Sequence, residues 1–153
     1  MVNERKAGLP TTLGKTYSLD WRGDPPHMLK VDVPIWYRFL EKYGAPFLKL
    51  YYDCLLGGPY LTNDQATDPY FRDYRVLNSK RADAIAELDD QVWIIEVSKE
   101  PGLRALGQVQ VYHALWLRDP KIAKIEKTVL VADRINKDLL DACGMYGVMT
   151  FLV

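Results

Sequence analysis

The chain has 153 residues, the length of a typical single domain, and 48% of them are hydrophobic and 26% charged, as in soluble globular proteins. Its 20 basic and 20 acidic residues cancel, so the overall charge predicts neither a nucleic-acid partner nor an acidic one. Two distant cysteines argue against a disulfide-rich secreted scaffold. Without an apolar leader or a run of about 18 apolar residues, we expect an intracellular protein that does not interact with membranes.

Residues 1–33 are rich in glycine and proline and show no sustained periodicity. They predict an extended N-terminal arm with a short strand near residues 15–19. Such an arm commonly docks on its own domain or on a neighbouring subunit. Trp21 is an apolar anchor in this irregular segment. It is consistent with docking in cis and equally with binding to a protein partner or to a second copy of the chain.

Residues 34–153 predict an α/β domain whose mixed central sheet is flanked by helices. Hydrophobic periodicity, together with glycine and proline breaks, marks its elements. In chain order we expect a helix from Pro34 to Tyr43, a strand within 47–56, a loop with little regular structure over 60–79, a hairpin with strands over 81–87 and 91–97, a helix from Leu103 to about Asp119, a buried strand over Lys127–Ala132, a short helix through Leu140 ending at Gly144, and a strand over Val148–Val153. The predicted order is α-β-β-β-α-β-α-β.

The hairpin carries two acids near its open end. If Asp89 and Asp90 form the turn, Asp83 faces Glu96 across the strands, with Cβ atoms about 4.5–5.5 Å apart. Two carboxylates this close repel unless a divalent cation such as Mg²⁺ or Mn²⁺ binds both, one of them keeps a proton, or a basic side chain neutralises them on an exposed face. The sequence leaves these three interpretations open. The same register places Arg81 opposite Ser98.

The order of these motifs resembles the PD-(D/E)XK nuclease superfamily, especially its RecB-like branch. The matching residues are Asp83 on one strand, Glu96-Val97-Ser98 on the next, Gln108 and Tyr112 on the following helix, and Glu41 on the preceding helix. The resemblance spans residues 34–153 and implies a restriction-endonuclease-like core. It also implies Mg²⁺ or Mn²⁺ bound by Asp83, Glu96 and Glu41, hydrolysis of DNA, and a role at the site for Gln108 and Tyr112, which share a helix face.

The motif is degenerate. Ser98 stands where the resemblance calls for lysine, and Ala82 stands where it calls for proline. Lys99 is adjacent, but strand alternation turns it to the opposite face unless a bulge before Pro101 returns it. We therefore expect Arg81 to supply the missing positive charge by binding phosphate. If Arg81 instead pairs with the acids, it would block the metal.

Residues 70–81 mix aromatic and basic side chains. Arg72, Arg75 and Lys80 are candidate contacts either to nucleic acid or to a protein partner, and Asp68 and Asp73 dilute the charge enough to favour a protein interface slightly. His27 and His113 each stand alone, with no metal-ligand spacing.

Two functions follow from these patterns. The first is a Mg²⁺- or Mn²⁺-dependent nuclease acting on DNA through a degenerate site. The second is a catalytically inactive nuclease-like fold that serves as a structural or binding module. Such a module would suit a phage particle or a mobile-element assembly, which would place the protein in a virion. This last step rests on analogy between folds.

Overall fold

The computed structural model describes residues 11–153. This part of the chain is an α/β fold with a mixed six-stranded sheet, a two-stranded sheet and five helices. The elements in chain order are β1 (Thr16–Tyr17), α1 (Val33–Tyr43), β2 (Lys49–Tyr51), β3 (Leu55–Leu56), α2 (Asn63–Thr67), α3 (Pro69–Asn78), β4 (Lys80–Arg81), β5 (Ala84–Glu87), β6 (Gln91–Ser98), α4 (Leu103–Arg118), β7 (Ile125–Ala132), α5 (Lys137–Met145) and β8 (Val148–Leu152).

The large sheet has the strand order β1-β2-β5-β6-β7-β8. Neighbours are antiparallel from β1 to β6, whereas β6, β7 and β8 are parallel. Parallel neighbours need a crossover connection, and helices α4 and α5 provide the two that this order requires. The predicted mixed sheet with flanking helices is confirmed.

Apolar side chains cover both faces of the sheet. On one face, Trp36 and Phe39 of α1 pack with Ile95 of β6 and with residues of β7. On the other face, Tyr112 and Trp116 of α4 pack over the hairpin, and α4 and α5 together cover β7. Burial on both faces explains the continuous apolar sequence of β7, which was the basis for predicting a buried strand.

The described part of the N-terminal arm docks on its own domain. Strand β1 pairs with β2, and Thr12 forms a β-bridge with Leu55. Trp21 is partly buried against the core that contains Trp36, and its ring contacts those of Tyr17 and Tyr52. The arm prediction for residues 1–10 lies outside the described residues.

The loop prediction for residues 60–79 was wrong, because this segment contains α2 and α3. Thr62 and Gln65 form a reciprocal capping box at the start of α2. Asp68 caps α3 through the Tyr70 N–H, and Pro69 occupies the first turn. These are helix-start signals that the sequence carried, and the surrounding turn-forming residues obscured them.

The single strand predicted within residues 47–56 is two short strands in different sheets. Strand β2 joins the large sheet, whereas β3 pairs with β4. The bends at Tyr52 and Asp53 separate the two strands.

None of the helices in residues 11–153 is both long enough and apolar enough to cross a membrane.

The buried hydrogen bond from Trp36 Nε1 to the Tyr52 hydroxyl, at 2.9 Å, ties α1 to the segment after β2. We expect Tyr52→Phe to lower the free energy of unfolding by about 1–3 kcal/mol, because it leaves a buried indole N–H without an acceptor. Urea denaturation measures this change. Tyr146→Phe removes a hydroxyl from an exposed ring and should change stability by less than about 0.5 kcal/mol. Equal effects of the two substitutions would contradict the role assigned to this hydrogen bond.

Candidate functional site

The β5–β6 hairpin has the predicted register. Ala84 pairs with Ile95, Ile85 pairs with Ile94, and the Leu88 N–H donates to the Gln91 carbonyl across the turn. Asp83 lies one residue before β5, next to Glu96 of β6, and the two carboxyl groups interact directly. The register expected from a turn at Asp89 and Asp90 therefore brings the two acids together, as the structure has them.

The hairpin ladder ends at Asp83, because the side chain of this residue replaces a main-chain acceptor. Its Oδ2 accepts the Val97 N–H at 2.7 Å. In a continued ladder of this register, that N–H would donate to the Ala82 carbonyl. The chain before Asp83 is thus free to leave the hairpin.

The predicted pairing of Arg81 with Ser98 was wrong for this reason. Arg81 lies in β4 and pairs with Leu55 of β3, in the second sheet. Its side chain nevertheless lines the same cleft as Asp83, Glu96 and Ser98. Within residues 11–153 it forms no ion pair with either acid, and its Nε is buried without a hydrogen-bond partner.

The acids lie in a cleft of about 400 Å³ at the carboxyl end of β6, where the chain enters α4. Crevices at the carboxyl ends of parallel strands are common ligand sites in α/β folds. Helix α4 contributes Arg104, Gln108 and Tyr112 to one wall. A larger groove of about 790 Å³ between α4 and α5 is mainly apolar, and its only carboxylate in the described part of the chain is Asp138. Of these two cavities, the smaller cleft has more ionisable side chains in its lining.

Burial disfavours ionisation of the acid pair. It raises the pKa of Asp83 to about 6, against a smaller opposing effect of the Val97 N–H. Burial, and then the negative charge of Asp83, raises the pKa of Glu96 to about 9. Glu96 Oε2 is buried with no hydrogen-bond partner in the described residues. At neutral pH the pair therefore holds a proton unless a cation replaces it.

Asp32 is a third acid in this cleft that the sequence interpretation missed. It occupies the N-cap position of α1 and is buried, but its Oδ1 accepts the Lys99 N–H at 2.9 Å instead of capping the helix. Burial raises its own pKa, and its charge contributes to the raised pKa values of Asp83 and Glu96. An acid before a proline at a helix start was a readable signal, but nothing in the sequence linked it to β6.

Of the other residues that the resemblance suggests, two line the cleft and two do not. Gln108 and Tyr112 line the cleft, as expected, and the Tyr112 hydroxyl interacts with Glu96. Glu41 is exposed near the end of α1 and does not line the cleft. The Lys99 side chain lines a separate pocket with Arg38 and Asp133, so no bulge returns it to the acids.

The candidate partner-binding residues also differ in accessibility. Arg72 and Lys80 are exposed, whereas Arg75 is buried on the inner side of α3, with 7% exposure. Arg75 is therefore placed to stabilise the packing of α3, not to contact a partner.

Asp83 and Glu96 are the cleft residues that could hold a hard divalent cation. In residues 11–153 no three His, Cys, Asp or Glu side chains are grouped so as to hold a metal ion by themselves. Mg²⁺ usually needs no such group, because it is held by one or two carboxylates together with water and substrate phosphate. Asp83 and Glu96 supply two carboxylates, and the unpartnered Glu96 Oε2 lacks the donor or cation that a buried oxygen requires.

Comparisons with known proteins gave no match: neither a family model, nor a curated protein sequence, nor a solved structure is similar to the chain at a significant level.

The raised pKa values predict that the folded protein loses stability as pH rises. Above about pH 4 the carboxyl groups of the unfolded chain lose protons, whereas burial raises the pKa of the Asp83–Glu96 pair so that the folded state still holds a proton there. Since the folded state binds more protons in this window, its free energy of unfolding falls with increasing pH. Glu96→Gln removes one acid of the pair and should stabilise the protein by about 1–3 kcal/mol at pH 8.

Urea denaturation between pH 5 and pH 9, without divalent cations, measures this effect. Glu41→Gln is the matched control, since it removes a carboxylate from an exposed position outside the cleft. If Glu96→Gln destabilised the protein equally at pH 5 and pH 8, the proton would not be held by this pair.

Proposed function

We propose that this chain is a nuclease-like protein that hydrolyses DNA phosphodiesters with Mg²⁺ or Mn²⁺ at a degenerate PD-(D/E)XK site. The observation that carries the proposal is the contact between Asp83 and Glu96 in a cleft, with one buried carboxylate oxygen left unpartnered. Structural ion pairs can also shift pKa values, but within residues 11–153 neither Asp83 nor Glu96 forms an ion pair.

The fold supports the same proposal. Helix α1, an antiparallel hairpin whose second strand carries the glutamate, a crossover helix with Gln108 and Tyr112, and a parallel strand β7 follow one another in the order that the resemblance implies. We therefore propose that the core is restriction-endonuclease-like.

Asp83 and Glu96 would hold the cation, and Asp32 adds negative charge to the cleft. A bound cation would activate water and offset the charge that develops on the phosphate. Arg81 and Arg104 line the cleft and are suited to bind phosphate oxygens, because a guanidinium remains protonated and offers a planar set of donors. Gln108 and Tyr112 add neutral polar groups that can orient the substrate.

A second candidate is a nuclease-like fold without catalysis, used as a structural or binding module in a phage particle or mobile-element assembly. Two placements favour it: Ser98 occupies the lysine position, and the Lys99 side chain points into a different pocket. Under this proposal the acid pair keeps its proton and the cleft holds no metal. Assembly of fixed stoichiometry that does not depend on metal would support it.

Cleavage of single-stranded, double-stranded and branched DNA tests the first candidate. We expect hydrolysis with Mg²⁺ or Mn²⁺ but not with EDTA, and Asp83→Asn should lower the rate by at least ~100-fold, equivalent to about 2.7 kcal/mol of activation free energy. Asparagine still offers an acceptor to the Val97 N–H, so the fold should survive. Wild-type protein that cleaves no substrate, or cleaves equally well after Asp83→Asn, would contradict the nuclease proposal.

Arg81→Ala separates phosphate binding from metal blocking. Since Arg81 forms no ion pair with Asp83 or Glu96 in the described chain, we expect metal affinity to stay the same and DNA affinity to fall by about tenfold, or 1.4 kcal/mol. Calorimetry measures the first and fluorescence anisotropy the second. Arg134→Ala, on an exposed residue outside the cleft, is the matched control. Tighter metal binding by the Arg81 variant would instead identify Arg81 as a blocking group.

A further inference from the structure

His27 lies in the wall of the same cleft, on the segment that precedes α1. Its Nε2 is 2.6 Å from Asp53 Oδ1, and its side chain is 19% exposed. Asp53 follows β2 and its side chain is half exposed, so His27 contacts the cleft while its partner contacts solvent. Within residues 11–153, Nδ1 makes no hydrogen bond. A carboxylate on one ring nitrogen fixes the tautomer and orientation of an imidazole and leaves the other nitrogen to react.

We propose that His27, positioned by Asp53, is the proton acceptor for hydrolysis of a phosphodiester in this cleft and takes the role left open by Ser98. The inference rests on the proposed nuclease function and assigns to it a residue outside the degenerate motif.

Apart from Asp32, whose Oδ1 already accepts the Lys99 N–H, the ionisable groups of the cleft leave this role to His27. The guanidinium groups of Arg81 and Arg104 offer hydrogen-bond donors and no acceptor. Asp83 and Glu96 are occupied when they hold a cation, and the Ser98 hydroxyl is too weak a base. When the Asp53-bound Nε2 carries the proton, the neutral imidazole has its lone pair on Nδ1, where it can accept a proton from water.

Hydrolysis transfers one proton from water to His27. Nδ1 takes one proton from water while the water oxygen forms a bond to phosphorus. The bond between phosphorus and the leaving sugar oxygen breaks, and that oxygen takes a proton from solvent. The products are a phosphate monoester and an alcohol, and the imidazolium formed at His27 is stabilised by Asp53 before it returns its proton to solvent.

His113 provides an internal control. The chain contains two histidines, and His113 also pairs with an acid, through Nε2 at 2.6 Å from Glu126 Oε2. It lies on α4, does not line the cleft, and packs toward β7. The two imidazoles thus share their chemistry and differ in position.

The test uses the full chain labelled with ¹⁵N in its imidazole rings, with the two sets of signals assigned through His113→Ala. Mg²⁺ is added together with a dinucleotide whose phosphorothioate linkage resists hydrolysis. We expect the His27 signals to shift and those of His113 to remain in place. In the cleavage assay, His27→Ala should lower kcat by about 100-fold without changing calorimetric Mg²⁺ affinity, and added imidazole should restore part of the rate. His113→Ala should cleave at the wild-type rate.

His27→Gln, which keeps a donor for Asp53, replaces the alanine variant if the latter does not fold. An active wild-type protein with equally active His27 variants would overturn the role of His27 while leaving the nuclease function intact. Unshifted His27 signals in the presence of bound dinucleotide would also overturn it. A wild-type protein that hydrolyses no DNA would overturn both proposals.

Discussion

The contact between Asp83 and Glu96 constrains everything else in the cleft. Two carboxyl groups are held against each other where burial disfavours charge, so one proton or one cation must accompany them. The arrangement is fixed by the β5–β6 register, since a slip of one residue would turn one of the acids to the opposite face. It is also fixed by the Val97 N–H, which anchors Asp83 in place of a main-chain carbonyl. Ionisation of both acids is therefore electrostatically unfavourable, and a bound cation would offset this repulsion.

Three segments distant in sequence converge on this contact. The start of α1 brings Asp32 to the Lys99 N–H, the second sheet brings Arg81, and α4 covers the acids with Tyr112. The large sheet changes from antiparallel to parallel pairing at β6, where the crossover helix α4 begins. The hairpin places both acids on one face, and the crossover helix α4 forms a wall of the cleft. His27, which is hydrogen-bonded to Asp53, also lines the cleft.

Local patterns predicted the elements and pairings that depend on neighbouring residues. The turn at Asp89 and Asp90 set the hairpin register, and periodicity located α1, α4 and β7 close to their observed bounds. Contacts that depend on the path of the chain were not predictable in this way. Arg81 was assigned to the hairpin because alternation was extended past Asp83, where a side-chain hydrogen bond ends the ladder. Asp32 and His27 come from an irregular segment, whose position on the sheet no periodicity encodes.

Calorimetric titration of Mg²⁺ and Mn²⁺ into the full chain tests the cation site most directly, with Glu96→Gln and Glu41→Gln as the matched pair of variants. The cation site predicts that the wild type and Glu41→Gln bind metal and that Glu96→Gln does not. Binding should release protons, so the measured heat should vary with the ionisation enthalpy of the buffer and with pH. No heat of binding at millimolar metal, or binding that survives Glu96→Gln, would contradict it. The acid pair would then be a protonated structural contact, and the chain would be better described as a binding module.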